Sequence, residues 1–241
     1  MVDFAIDVAI GLALSAPVAA IAVRRRSVTG GGATAGVLVG GITYAGMYLG
    51  GLMVLGVALA LTAGSTRIGR GRKVMSSTGH DDEPRGAGSI IANCLIGTIA
   101  AAIEASPVNI GLPVTAVWFV AAIAAGSSDT VSSEIGQALS ARPRRFPTFE
   151  RVPSGTPGAI SLPGTAAGLA AASVIAAPAA ALWLISWSAV PAIAIACLAG
   201  SMVESTLSTL LEERGSIGNN VLNLLNTAVA AAVAVLMLGT R

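Results

Sequence analysis

The sequence predicts an all-α fold: a polytopic helical bundle of about seven or eight transmembrane or half-membrane helices, in one integral membrane domain over residues 1–241. Composition is the first reason, since 54% of the residues are hydrophobic and 11% charged, against roughly a quarter charged in a soluble domain. Apolar runs of about 20 residues, the length that crosses about 30 Å of hydrocarbon, recur along the whole chain. The third reason is where the charge falls. All but Arg241 of the 14 Lys and Arg residues lie in four places, Arg24–Arg26, Arg67–Arg85, Arg142–Arg151 and Arg214, and the loops that alternate with these carry none. Short loops rich in Lys and Arg stay cytoplasmic, so the expectation is a multi-pass cell-membrane protein with its N-terminus outside. An ordinary soluble enzyme is excluded. Nucleic-acid binding is not expected either, because each basic cluster is only a few residues long and sits beside a membrane face.

A first span is read near residues 4–23, closed by Arg24-Arg25-Arg26. It starts with Asp3 and Asp7 and meets Arg only after the apolar run, the reverse of a signal peptide, so it is expected to stay attached. The next run, about 33–66, is too long for one crossing. Its interruption at Gly46-Met-Tyr-Leu-Gly50-Gly51 predicts a hairpin with an outside tip, placing Tyr44 and Tyr48 at the outer interface. A polar loop over 67–86 leads to a span near 87–104, an outer loop at Glu104–Gly111 and a span over 112–126. The longest polar stretch, 126–158, is expected to be a cytoplasmic loop, with Arg142-Pro-Arg-Arg-Phe-Pro147 irregular. Spans near 160–186, 189–210 and 217–238 complete eight, with Trp183 and Trp187 at an outer turn. Cys94 and Cys197 stand apart in apolar stretches and read as small buried hydrophobes.

Polar groups facing lipid are costly, so polar residues at helical spacing inside apolar helices should face one another or a wet cavity. Four such stripes occur: Ser89, Asn93 and Gly97; Asp129, Ser133, Gln137 and Ser140; Ser201, Glu204, Ser205 and Ser208; and Asn219, Asn223, Asn226 and Thr227. Under the expected topology all four lie toward the cytoplasmic half and can converge. The acids among them, Asp129, Glu134 and Glu204, surrounded by Ser, Thr and Asn, suit a hard cation, for which Mg²⁺ is the natural candidate. Asp129 and Glu134 are five residues apart, about 140° around a regular helix. Either a helix begins at Asp129, or Glu134 serves something else. The competing readings are that Asp129 caps a helix, that Glu204 reaches to the interface, and that the Asn stripe makes only interhelical hydrogen bonds. Ser154-Gly-Thr-Pro-Gly158 offers a Gly-rich turn into a helix start, where an anion can be held, and Arg67-Ile-Gly-Arg-Gly-Arg-Lys73 supplies cations. No P-loop is present. A faint internal echo relates Ala125-Gly-Ser-Ser-Asp-Thr130 to Ala199-Gly-Ser-Met-Val-Glu-Ser205.

Asp129-Thr-Val-Ser-Ser-Glu134-Ile-Gly136 resembles the Asp-Thr-x-x-Ser-Glu-x-Gly signature of the integral membrane family that includes eukaryotic transmembrane protein 19 and the plant and cyanobacterial phytyl-phosphate kinases. Around it, in the family's order, stand Arg85 with Ile91-Ala-Asn93, Gly155-Thr-Pro-Gly158-Ala-Ile-Ser161-Leu-Pro-Gly164-Thr165, Gly200-Ser201 with Glu204-Ser205, and Asn219-Asn220-Val-Leu-Asn223. The set covers about residues 30–235. Three positions depart from the family's pattern: Glu204 stands for Asp, Pro157 for Asn and Cys94 for Gly.

The resemblance implies Mg²⁺-dependent transfer of a phosphoryl group from a nucleoside triphosphate, with CTP as donor, to a phytyl- or geranylgeranyl-type isoprenoid monophosphate in the bilayer. It implies metal roles for Asp129 and Glu204 and a metal or acceptor-orienting role for Glu134. Arg67, Arg72, Lys73 and Arg85 would then serve phosphates, Asn93, Asn219 and Asn223 the nucleotide or metal-bound water, and Thr156, Gly158 and Ser161 a phosphate loop. Two other readings remain open at this point, a small-solute or ion transporter and a lipid-phosphate cytidylyltransferase. Prenyl chain length, donor base and oligomeric state, a homodimer included, are also open.

Overall fold

The computed structural model of the chain describes residues 2–68, 84–107, 112–140, 142–212 and 217–238. Arg72 and Lys73 of the expected phosphate set lie outside them. Among the described residues seven helices are long and apolar enough to cross a membrane. They are α1 (Val2–Arg24), α2 (Gly30–Ser65), α3 (Ala87–Glu104), α4 (Leu112–Leu139), α5 (Leu162–Ala181), α6 (Ala189–Leu207) and α7 (Asn219–Leu238). The protein is a multi-pass helical bundle of the membrane.

As one straight helix, the 36 residues of α2 would reach about 54 Å, nearly twice the hydrocarbon thickness. Tyr48 breaks it, with φ 49° and ψ −148°. The chain reverses there, because Gly40 lies alongside Leu52 and Gly51 alongside Thr43, pairs that a straight helix would hold about 12–18 Å apart. The expected hairpin is therefore present, its limbs (30–47 and 49–65) each about 26 Å long. With them the described residues supply eight membrane-length segments.

One boundary differs from expectation. Residues 127–139 are not a loop: α4 continues without interruption to Leu139. The polar run stays helical because its hydroxyls bond back to the preceding turn, Ser128 Oγ to Ala125 O at 3.1 Å and Thr130 Oγ1 to Gly126 O at 3.1 Å. This helix is the centre of the bundle and packs on α2, α3, α5, α6 and α7. Ala116, Phe119, Val120, Ala121, Ala124 and Ala125 have no exposed surface. An apolar helix is enclosed on all sides only at the centre of a bundle. By contrast α1 packs on α2 at the edge and turns Phe4, Ile6, Leu14, Val18 and Ile21 outward, as a lipid-facing helix would.

The described residues of the first three basic segments meet at one end of the bundle. The loop after α1 pairs with the segment leading into α3, Thr29 N–H donating to Arg85 O at 3.0 Å and Arg85 N–H to Ser27 O at 3.1 Å. The starts of α3 and α7 adjoin, Gly88 lying against Asn220. Between α4 and α5 a two-residue ribbon, β1 (Arg144–Arg145) with β2 (Ala159–Ile160), is antiparallel. Thr209, in the single π-helical turn Ser208–Glu212 that prolongs α6, donates from Oγ1 to Phe146 O at 2.8 Å. The segment read as irregular is thus a folded cap, fastened across this end.

Candidate functional site

A cavity of about 190 Å³ opens beneath that cap. From α4 it takes Asp129, Ser132, Ser133, Gly136 and Gln137, at spacings 0, 3, 4, 7 and 8, which is one helical face. From α6 come Ser201, Glu204 and Ser205, with Ser208 one turn on, again one face. The cap contributes Ser154–Ser161, and the start of α7 adds Asn219 and Leu222. Two of the four polar stripes therefore converge as expected, and Asn219 of the fourth joins them. Ser201 Oγ donates to Asp129 Oδ1 at 3.2 Å, tying α6 to α4 at the acid. Glu204, one turn further, is buried.

Helix geometry decides the fate of Glu134. Because α4 is unbroken, the 140° between Asp129 and Glu134 holds, and Glu134 shares its face with Gly126 and Thr130 instead. It does not line the cavity. The expected set of three metal-binding acids is accordingly not assembled: no cluster of three or more His, Cys, Asp or Glu forms among the described residues. Two carboxylates, Asp129 and Glu204, share the cavity.

The face of α4 that carries Gly126 and Thr130 receives two other expected residues. Arg85 donates from Nη2 to Thr130 Oγ1 at 3.4 Å, and burial holds its guanidinium below the ordinary arginine range. Asn93 donates to Ser89 O at 2.8 Å and lies against Gly126, where any side chain would strike its Oδ1. Neither lines the cavity. Arg67 is exposed in the turn after α2, and Asn223 does not line the cavity either. In the cap, Thr156 donates its hydroxyl to Pro153 O at 2.8 Å, and Ser161 caps α5 by accepting from Gly164 N–H at 3.2 Å. Gly158, at φ +71°, fits where a Cβ would run into Thr209 and the Ser205 carbonyl.

Ser132 belongs to none of the polar stripes read from the sequence, yet it lines the cavity. The spacing of Ser132 from Asp129 and Gly136, three and four residues, was the available signal. The echo between 125–130 and 199–205 has a structural counterpart: Gly126 packs on Asn93 and Gly200 on Asn226, each glycine admitting an amide that would otherwise clash.

Among the described residues lining the cavity there is no Lys, Arg or His. Asp129, half-buried, and Glu204, buried, bring two carboxylates to a cavity otherwise lined by hydroxyls, amides and backbone. Hard oxygen donors of this kind match Mg²⁺, which keeps several waters and takes one or two carboxylates plus phosphate oxygens.

A family profile described as Integral membrane protein DUF92 matches residues 13–233. The chain belongs to this family. Its motif set resembles the same group, which includes transmembrane protein 19 and the phytyl-phosphate kinases. Similar proteins include an uncharacterized membrane protein of Methanocaldococcus jannaschii, 32% identical over 65% of this chain and 64% of its own length. An uncharacterized membrane protein of Synechocystis sp. is 33% identical over 50% of this chain and 47% of its own. Protein VTE6, chloroplastic, of Arabidopsis thaliana is 32% identical over 64% of this chain and 47% of its own. The matches thus span between about half and two thirds of these relatives. No solved structure matches the chain.

Proposed function

We propose that this DUF92 protein is a prenyl-phosphate kinase, transferring the terminal phosphoryl group of a nucleoside triphosphate, CTP by preference, to a membrane isoprenoid monophosphate. The single observation that carries the reading is that Asp129 and Glu204, 75 residues apart in sequence, line one hydroxyl-rich cavity. Its small volume suits phosphate groups with an ion and water, being below the roughly 300 Å³ of sites that enclose a whole drug-sized ligand.

Asp129 and Glu204 would hold Mg²⁺, Asp129 being oriented by the Ser201 hydroxyl. When bound, the ion would neutralise charge on the phosphates and align donor and acceptor, the main demands of phosphoryl transfer. Ser132, Ser133 and Ser205 would donate to phosphate oxygens, and the start of α5 turns the positive end of its dipole toward them. The donor's terminal P–O bond breaks as the acceptor monophosphate oxygen bonds to that phosphorus. No proton need leave this oxygen, so no general base is required. Arg67, Arg72 and Lys73 would supply cations for the phosphates, whereas Arg85 is engaged by Thr130 away from the cavity. The basic end is the cytoplasmic one under the positive-inside rule, so the N-terminus would lie outside.

A site at one end of the helices, under a folded cap, favours an enzyme over a carrier, whose site lies near the midplane. The test is incubation of the purified protein in detergent with CTP or ATP, Mg²⁺ and geranylgeranyl or phytyl monophosphate. Prenyl diphosphate and nucleoside diphosphate are the expected products. Release of pyrophosphate would replace the kinase with a cytidylyltransferase, and no nucleotide consumption with any prenyl phosphate would end both.

A further inference from the structure

A second, smaller cavity of about 30 Å³ adjoins the first. Asp129, Ser132, Ile160 and Ser201 line both. Beyond these four residues its character changes. It runs between α5 and α6, with Ser128 of α4 in its wall, past Thr165, Gly168 and Leu169 on one side and Ala194, Cys197 and Leu198 on the other, and Met202. Ala194 is ten residues before Glu204 on α6, about 15 Å deeper along the bundle axis at the helical rise per residue. The polar cavity therefore continues as a more apolar slot, its hydroxyls beyond the shared residues being those of Ser128 and Thr165, directed into the membrane.

We infer that this slot between α5 and α6 holds the apolar chain of a ligand whose phosphate occupies the polar cavity, an inference that rests on the prenyl-phosphate reading and specifies which part of the protein meets the chain. Two cavities of opposite character joined at the acid call for one molecule with a charged head and an apolar tail. Small residues, Gly168, Ala194 and Cys197, keep the two helices' surfaces low along the slot. As it stands the slot has room for one or two methylene-sized groups. Leu169, Leu198 and Met202 are only half-buried, and changes of their rotamers admit a chain, Met being the most adaptable. Leu and Met side chains discriminate weakly between saturated and unsaturated chains, so the slot selects for the presence and bulk of a tail rather than its double bonds.

The test uses the full-length protein in detergent and a twenty-carbon prenyl monophosphate carrying a diazirine near the middle of its chain. After irradiation, adducts are mapped by mass spectrometry with and without excess geranylgeranyl monophosphate. Adducts on α5 and α6 around Leu169, Leu198 and Met202, suppressed by the competitor, are expected. Adducts confined to other helices, adducts indifferent to the competitor, or none at all would overturn the inference. Ala194→Phe fills the slot and should lower the competed labelling by about tenfold, on the scale of one or two methylene groups excluded from an apolar pocket. Should that variant misfold, Leu198→Ala enlarges the slot and should strengthen labelling by bulkier-chained probes; unchanged labelling in a folded variant counts against the slot. Turnover is measured in parallel. Transfer to prenyl phosphate with adducts elsewhere removes the slot and leaves the kinase, whereas competed adducts in the slot without transfer from any nucleotide remove the kinase and leave the slot.

Discussion

Two faces of α4 carry the same kinds of residue and do opposite things. On one, Asp129, Ser132, Ser133 and Gly136 open onto a cavity shared with α6 and the cap. On the other, Gly126 and Thr130 are closed against Asn93 and Arg85, and Glu134 follows on the same face. Both include an acid, hydroxyls and a glycine. What separates them is what the neighbouring helix presents: serines and a second carboxylate from α6 leave space between them, whereas an amide and a guanidinium from the α3 side fill it. A polar stripe within a membrane helix thus marks either a site or a polar seam between helices, and packing decides which.

The largest effect is expected from breaking the open face. Asp129→Asn keeps the shape and can still accept from Ser201, but removes the charge that would hold the metal. Turnover should fall by about a thousandfold, on the scale of several kcal/mol of metal-ion stabilisation. Unchanged mobility in size exclusion would show that the bundle survives, and full activity would remove Asp129 from the site. Glu204 tests the partner position in two steps. Glu204→Gln should cost about a hundredfold, while Glu204→Asp, with the shorter arm of the family's pattern, should recover most activity at a raised Mg²⁺ requirement, read from a metal titration of the rate.

How far the site was legible follows from these residues. Asp129, Glu204 and the serines around them were found because helical spacing alone aligned them. The hairpin in α2 was readable because 36 residues cannot cross once, and glycines marked the turn. The length of α4 was misjudged: polar composition suggested a loop, but hydroxyls that bond back within a helix make that composition compatible with helix. Glu134 was grouped with Asp129 and Glu204 as an acid among polar stripes, and the resemblance kept it there, although the 140° separation already weighed against it. Asn93 and Arg85 could not have been placed from sequence, because which face of a helix meets a cavity depends on the volume of the helix opposite. The same limit hid the slot between α5 and α6, whose small residues look like any other Ala- and Gly-rich run in this chain.

The closed face should respond in stability rather than chemistry. In Gly126→Ala the new methyl group meets Asn93 Oδ1 and Cβ, an overpacking that costs about 1–3 kcal/mol. A lowered melting midpoint in detergent is expected, with activity per folded molecule near that of the native protein. Adding Asn93→Ala should recover most of the midpoint, because it removes the group in collision, and a double variant no better than the single one would show that Asn93 is not the obstacle.

The smallest effect, and the one that sharpens the comparison most, belongs to Glu134. If all three acids of the sequence reading held the metal, Glu134→Gln would match Asp129→Asn. On an unbroken α4 it faces away from the cavity, so the amide should change turnover by less than about tenfold, or about 1.4 kcal/mol of barrier, and leave the Mg²⁺ dependence of the rate unshifted. The metal titration is the decisive readout, because loss of a ligand raises the concentration required, whereas a change in helix packing lowers the rate at every concentration alike. A Mg²⁺ requirement raised in parallel with that of Glu204→Asp would bring Glu134 back to the ion and require α4 to break at Asp129 when substrate binds.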